Sequence, residues 1–145
     1  MFNWRRPDNL GVTGGRLAPC RRTPNCVSSQ ADPSDREHYI AAIAFRGDAI
    51  AAVRKAVESL PRTTVISATS SYLYAEFRSK LLGYVDDVEF FYDGNAIQVR
   101  SASRLGRRDF NVNRNRIEQL RLFGDLLGMG FRPAHQHGEV VVLRR

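Results

Sequence analysis

The stretch from Asp86 to Arg104, DDVEFFYDGNAIQVRSASR, constrains the fold more than any other part of the chain. Apolar and polar residues alternate on either side of an Asp-Gly pair, which is the pattern of a β-hairpin with one covered face. With Asp93-Gly94 as a two-residue loop, Tyr92 stands opposite Asn95, Phe90 opposite Ile97, Val88 opposite Val99 and Asp87 opposite Arg100. Parity then puts Val88, Phe90, Ile97 and Val99 on one face and Asp87, Glu89, Gln98 and Arg100 on the other. A three-residue loop mixes the faces, whereas a four-residue loop keeps them and slides the pairing by two. The expectation is therefore a cross-strand pair between Asp87 and Arg100.

Charge is divided about this turn. Asp86, Asp87, Glu89 and Asp93 lie before the tip, and Arg100, Arg104, Arg107, Arg108, Arg114 and Arg116 follow it. The alternation continues through Arg104, which places Ser101 and Ser103 on the core side. Buried hydroxyls without partners cost about 1 to 3 kcal/mol, so loop backbone or the next helix must bond them. Asp109, Asn111 and Asn113 are each candidate N-caps for that helix. Arg114 and Arg116 sit near its N-terminus, where cations are mildly unfavourable, and this calls for carboxylates or a bound anion nearby.

The remaining elements follow from periodicity and punctuation. Residues 1 to 38 carry four prolines and three glycines without periodicity and read as an irregular arm, with Trp4, Leu10, Leu17 and Val27 able to pin it to the domain. A first strand is predicted over 39 to 45. Asp48 then caps a helix whose Ile50, Val53, Val57 and Leu60 form one apolar face, ended by Pro61. Strands are predicted over 63 to 69 and 72 to 78, a second helix over 113 to 129 and a closing strand over 139 to 143. In the second helix Ile117, Leu120, Phe123, Gly124 and Leu127 point inward, with Gly128 or Gly130 at its C-terminus. Strands in runs with two separated helices describe one α+β domain over 39 to 145, an antiparallel sheet with both helices on one face. The opposite face, expected to be open, carries Tyr72, Tyr74, Glu76, Arg78, Asp87, Glu89, Phe91, Gln98, Arg100 and Arg104.

Length and charge bound the partners. A chain of 145 residues suits one domain with a real core. Its net charge is +7, and all but Lys55 and Lys80 of its cationic side chains are arginine. That bias suits bidentate contacts to phosphate or carboxylate, and equally fits nucleic acid, an anionic lipid surface or an acidic protein. No apolar run follows Arg5-Arg6 and none reaches the length of a membrane span. The cytoplasm is the expectation for a complete chain, and export for one whose leader has been removed. Cys20 and Cys26 have a spacing that closes a disulfide across a turn, and a reducing compartment would leave them as thiols.

Three ordered blocks resemble one family. They are Leu17 to Cys20 with Pro24 to Gln30, then Val85 to Phe90, then Arg100 to Arg104 with Gly106, Asp109, Asn113 and Arg114. Together they are similar to the family called domain of unknown function 1499, across roughly residues 17 to 125. The resemblance implies a bacterial or plastid protein, often exported, without an established activity. The chain departs from the family pattern at Asn111, where glycine is usual, and a leader like that of some relatives is not expected in residues 1 to 38.

Functional candidates follow from these blocks. Asp86, Asp87, Arg100, Ser101, Ser103, Arg104, Asp109, Asn113 and Arg114 are the expected ligand-binding residues, converging on an anion at the loop through Gly106. The function they suggest is a binding module for an anionic small molecule, lipid headgroup or acidic partner. One alternative is nucleic-acid binding by the open face, with Tyr72, Tyr74 and Phe91 stacking. Another is a hydrolase-like enzyme with Asp86 or Asp87 as general base. No G-x-S-x-G, P-loop or dinucleotide fingerprint is present, which points away from an enzyme, and no cofactor is expected. His135-Gln136-His137 with Glu139 has the alternate spacing of strand metal ligands, but reads more simply as a solvated turn.

Overall fold

The computed structural model describes residues 5–80, 83–106 and 111–134. Asp109, the His135 to His137 stretch and the strand expected over 139 to 143 lie outside the described residues. The elements run β1 (Cys26–Ser28), β2 (Ala42–Ala44), α1 (Ala49–Glu58), β3 (Thr63–Ala68), β4 (Tyr72–Arg78), β5 (Val85–Tyr92), β6 (Ala96–Ser103), α2 (Val112–Leu126) and β7 (Arg132–Ala134). Among the described residues they form an antiparallel sheet in the order β3-β4-β5-β6-β2-β7. The far edge of β6 is shared, its first residues pairing with β2 and its later ones with β1. A strand of three residues is too short to show alternation, which is why β1 is invisible within the arm.

Both helices pack on one face, as expected for this α+β class. The Asp48 carboxylate accepts from the Ala51 amide and caps α1, and Ile50, Val53, Val57 and Leu60 are all buried. Beneath the helices lie Leu73, Ala75, Val88, Phe90, Ile97 and Val99, each fully buried. In α2, Ile117, Leu120 and Gly124 face inward while Leu127 is exposed. The helix has already ended at Leu126, and Gly128 turns the chain away in the left-handed region (φ 76°).

Gly124 is needed for packing, not for backbone freedom. A β-carbon there would meet the Phe131 ring at 2.1 Å, and that ring is held edge-on against Phe45, centroids 5.4 Å apart. Gly124→Ala is expected to destabilise the fold by about 1 to 3 kcal/mol through overpacking, despite alanine's helix-propensity gain of about 1 kcal/mol. Urea denaturation midpoints measure the difference, and an unchanged or higher midpoint would contradict the packing described.

The hairpin register corrects the expected pairing. Tyr92 stands opposite Ile97, Phe90 opposite Val99, Glu89 opposite Arg100 and Asp87 opposite Ala102. The tip has moved to Gly94-Asn95, because the Asp93 carboxylate accepts from both the Asn95 and Ala96 amides. Gly94 takes the left-handed conformation (φ 97°) and Asp93 does not. This is the register of the four-residue loop, so face membership is unchanged while Arg100 exchanges Asp87 for Glu89.

Candidate functional site

The helix-free face is not open. Asp87 and Glu89 are essentially inaccessible, and Tyr74, Glu76 and Arg100 are also buried. The N-terminal arm lies across them. Arg6 donates to Glu76 at 2.9 Å and stands over the Tyr74 ring, the Gly11 amide donates to Glu89 at 2.7 Å, and the Pro19 carbonyl accepts from Arg100 at 3.5 Å. Thr13 and Arg16 close a tight turn in the arm through Gly14-Gly15, both in the left-handed region. Of the aromatics expected for base stacking, Tyr74 is buried while Tyr72 and Phe91 are half-buried, and the Tyr72 and Tyr74 hydroxyls donate to Glu89 and Asp87.

Two sheet arginines lie beneath the arm, and their carboxylates hold them unequally. Arg104 donates to both Asp87 oxygens, at 2.8 and 2.9 Å, and also to Glu76 and the Tyr74 hydroxyl. These partners hold its pKa above the usual guanidinium value, Asp87 first among them, against the opposing effect of burial. Arg100 is held loosely. Its Nη1 is 3.6 Å from Glu89 Oε1, and both that oxygen and Arg100 Nε are buried without a hydrogen-bond partner. Burial lowers the Arg100 pKa and raises that of Glu89, and the Tyr72 and Gly11 bonds to Glu89 do not fully offset its desolvation.

Adjacent residues on a strand face opposite ways, so Asp86 and Asp87 do not form one carboxylate pair. Asp86 points to the helix side and bonds Arg116 at 2.7 Å. There, too, the serines find their partner. Asn113 accepts from Ser101 Oγ at 2.6 Å and donates to Ser103 Oγ at 2.8 Å and to the Asn25 carbonyl at 3.1 Å. The N-cap position itself is Asn111, at φ 63°, in the left-handed conformation. Arg114 points elsewhere and donates to the Arg36 and Glu37 carbonyls. Of the expected ligand residues, the structure brings Asp87, Arg100, Ser103 and Arg104 to one concavity and places Asp86, Ser101, Asn113 and Arg114 outside its lining.

That concavity is a cleft of about 310 Å³ between the arm and the β6 end of the hairpin. Arg100 and Arg104 line it from the sheet; Arg5 and Arg21 line it from the arm. A disulfide joins Cys20 to Cys26 and closes the loop that carries Arg21, Thr23 and Asn25 to the cleft wall. Asn25 anchors this loop by donating to the Leu105 and Gly106 carbonyls. Glu76 and Glu89 belong to the face that parity assigned, yet only their burial makes them part of the site. Arg5 and Arg21 lie in a stretch without periodicity, where no pattern marks them, whereas Asn25 falls within the Pro24 to Gln30 block.

A second polar cluster sits behind the arm. His38 is buried, with Nδ1 2.8 Å from the Asp35 carboxylate and Nε2 2.9 Å from the Thr23 carbonyl. Both acceptors call for an N–H, an arrangement that favours the doubly protonated ring. Asp35, Glu37 and His38 are close enough to share a cation, but both ring nitrogens are committed as donors. Burial opposes the charge, while the Thr23 and Asp35 bonds outweigh it and raise the His38 pKa. A raised folded-state pKa contributes stability that is fully present below the unfolded value, about 6.5, and is lost as pH rises through the folded pKa. The denaturation midpoint of the native chain relative to His38→Gln is therefore expected to shrink from mildly acidic to alkaline pH; a constant gap would mean that the ring is neutral.

The fold and site define an antiparallel α+β domain with a buried arginine–carboxylate network sealed by its own N-terminal arm. A family model described as protein of unknown function (DUF1499) matches residues 16–123, and the chain belongs to that family. No curated protein and no solved structure matches it. No helix among the described residues is long and apolar enough to cross a membrane.

Proposed function

We propose that the chain is a binding module that captures an anionic small molecule in the cleft between the arm and the sheet. One observation carries this reading: Arg100 lines the cleft, is only 5% exposed, and keeps a buried Nε without a partner. A buried donor left unsatisfied costs about 1 to 3 kcal/mol, and an anion accepting from it removes that cost. Arg100 is the suitable cation because its own carboxylate holds it weakly, whereas Arg104 is bound to Asp87 and Glu76. A cleft of about 310 Å³ suits a small ligand better than a flat protein surface.

Thermal-shift titration with phosphate, sulfate and simple carboxylates tests the reading. A bound anion at about a hundredfold its Kd is expected to add roughly 2.7 kcal/mol. In Arg100→Gln that increment disappears. The proposal fails if none of these anions stabilises the native chain, or if Arg100→Gln responds as the native chain does.

A further inference from the structure

The charge count around the cleft narrows the ligand class. Beneath the arm, Glu76, Asp87 and Glu89 are matched by Arg6, Arg100 and Arg104. Arg5 and Arg21 line the same cleft, are exposed, and have no carboxylate partner among the described residues. Two positive charges therefore remain over at the mouth. Arg21 also acts unfavourably on Arg100, a like-charge cost that a monoanion relieves only in part.

Resting on the anion-binding reading above, we propose that the ligand carries a dianionic phosphate monoester, received by Arg100 on the sheet side and Arg5 and Arg21 at the mouth. Guanidinium groups present forked donors that match phosphate oxygens. Two of the neutral polar groups in the wall are already committed, the Asn25 amide to Leu105 and Gly106 and the Thr23 hydroxyl to Asn25 Oδ1. Charge therefore carries most of the recognition. The cleft has more room than phosphate alone fills, and Pro7 and Ala102 give part of its wall an apolar character, so a short organic group on the ester oxygen fits. The disulfide closes the loop carrying Arg21, which limits the ordering cost of presenting that cation.

Calorimetric titration of the full chain with glycerol phosphate, inorganic phosphate, sulfate and acetate tests this assignment. The second proton of a phosphate monoester has a pKa of about 6, so phosphate affinity should fall about tenfold between roughly pH 7.5 and pH 5. Sulfate stays dianionic across that range and should lose little, which separates ligand titration from titration of the protein. Arg21→Gln, at an exposed position that should leave the melting temperature unchanged, should weaken phosphate binding about tenfold, the scale of one charge-assisted contact. Acetate binding as tightly as phosphate, phosphate binding without pH dependence, or an Arg21→Gln chain that binds like the native one would each overturn the assignment and leave the general anion reading standing. Failure of every anion, with no retention by the vesicles below, would remove both. The source of the group is read from vesicles of phosphatidylcholine carrying either phosphatidic acid, a monoester, or phosphatidylglycerol, a diester. Selective retention by phosphatidic acid supports a lipid-borne monoester, and soluble binding without such selectivity supports a free one.

Discussion

Arg104→Ala is expected to lower stability by about 3 to 5 kcal/mol, the cost of removing one partner from a buried ion pair. The effect is large because one guanidinium serves two buried carboxylates. Asp87 is 1% exposed, Glu76 7% exposed, and the arm prevents water from replacing what Arg104 supplied. For a domain of this size the loss corresponds to a melting temperature lower by about 10 °C. Double-mutant analysis with Asp87→Ala should recover part of it, since the second change removes the stranded charge. The pH response adds a check. Burial tends to raise the Glu76 pKa, but bonds from Arg6, Arg104 and Tyr74 outweigh it and leave the pKa depressed. A depressed carboxylate contributes stability that is present above its unfolded pKa and lost as pH falls through the folded one. The gap between native and variant chains should therefore narrow in acid. A thermally silent Arg104→Ala would mean that the arm does not seal this face.

Asn113→Ala is expected to cost on the order of 3 to 4 kcal/mol, from several buried groups losing their partner together. All four hydrogen-bonding positions of this side chain are used, by Ser101, Ser103, Arg116 and the Asn25 carbonyl. It ties α2 to β6 and to the loop entering β1. The same substitution separates architecture from binding: under conditions where Asn113→Ala is folded, its anion affinity should match that of the native chain, because Asn113 does not line the cleft. Chemical denaturation gives the stability, and titration of the folded variant gives the affinity. Lost affinity with little lost stability would return Asn113 to the ligand site.

Together the two substitutions separate architecture from binding. The Pro24 to Gln30 block is largely occupied in holding chain segments together. Asn25 bonds the loop after β6, Ser29 bonds both Gln98 and the Val99 amide, and Gln30 bonds Leu17 and Gly15 of the arm. Asp86 and Arg116 form a further brace, with the Arg116 guanidinium also over the Phe77 ring. Much of the polar sequence that resembles a site is thus structural. At the cleft the buried Arg100 Nε has no hydrogen-bond partner, and the exposed Arg5 and Arg21 line the same wall.

Face membership was legible in the residues because it depends on covalent geometry alone: successive strand side chains point to opposite faces whatever the rest of the chain does. Parity alone separated Val88, Phe90, Ile97 and Val99 from Asp87, Glu89 and Arg100, and helical spacing with Asp48 gave α1 and its buried stripe. The partner of Arg100 was not legible, because it depends on where the turn closes. The Asp93 carboxylate moved that point by bonding two amides, and the whole ladder followed. The covering of the charged face was still further from local pattern. It rests on contacts between residues 70 and 78 positions apart, Arg6 with Glu76 and Gly11 with Glu89, made by an arm that has no periodicity of its own. Local geometry determines which way a side chain points; only the packed chain decides whether it meets water, a carboxylate or a ligand.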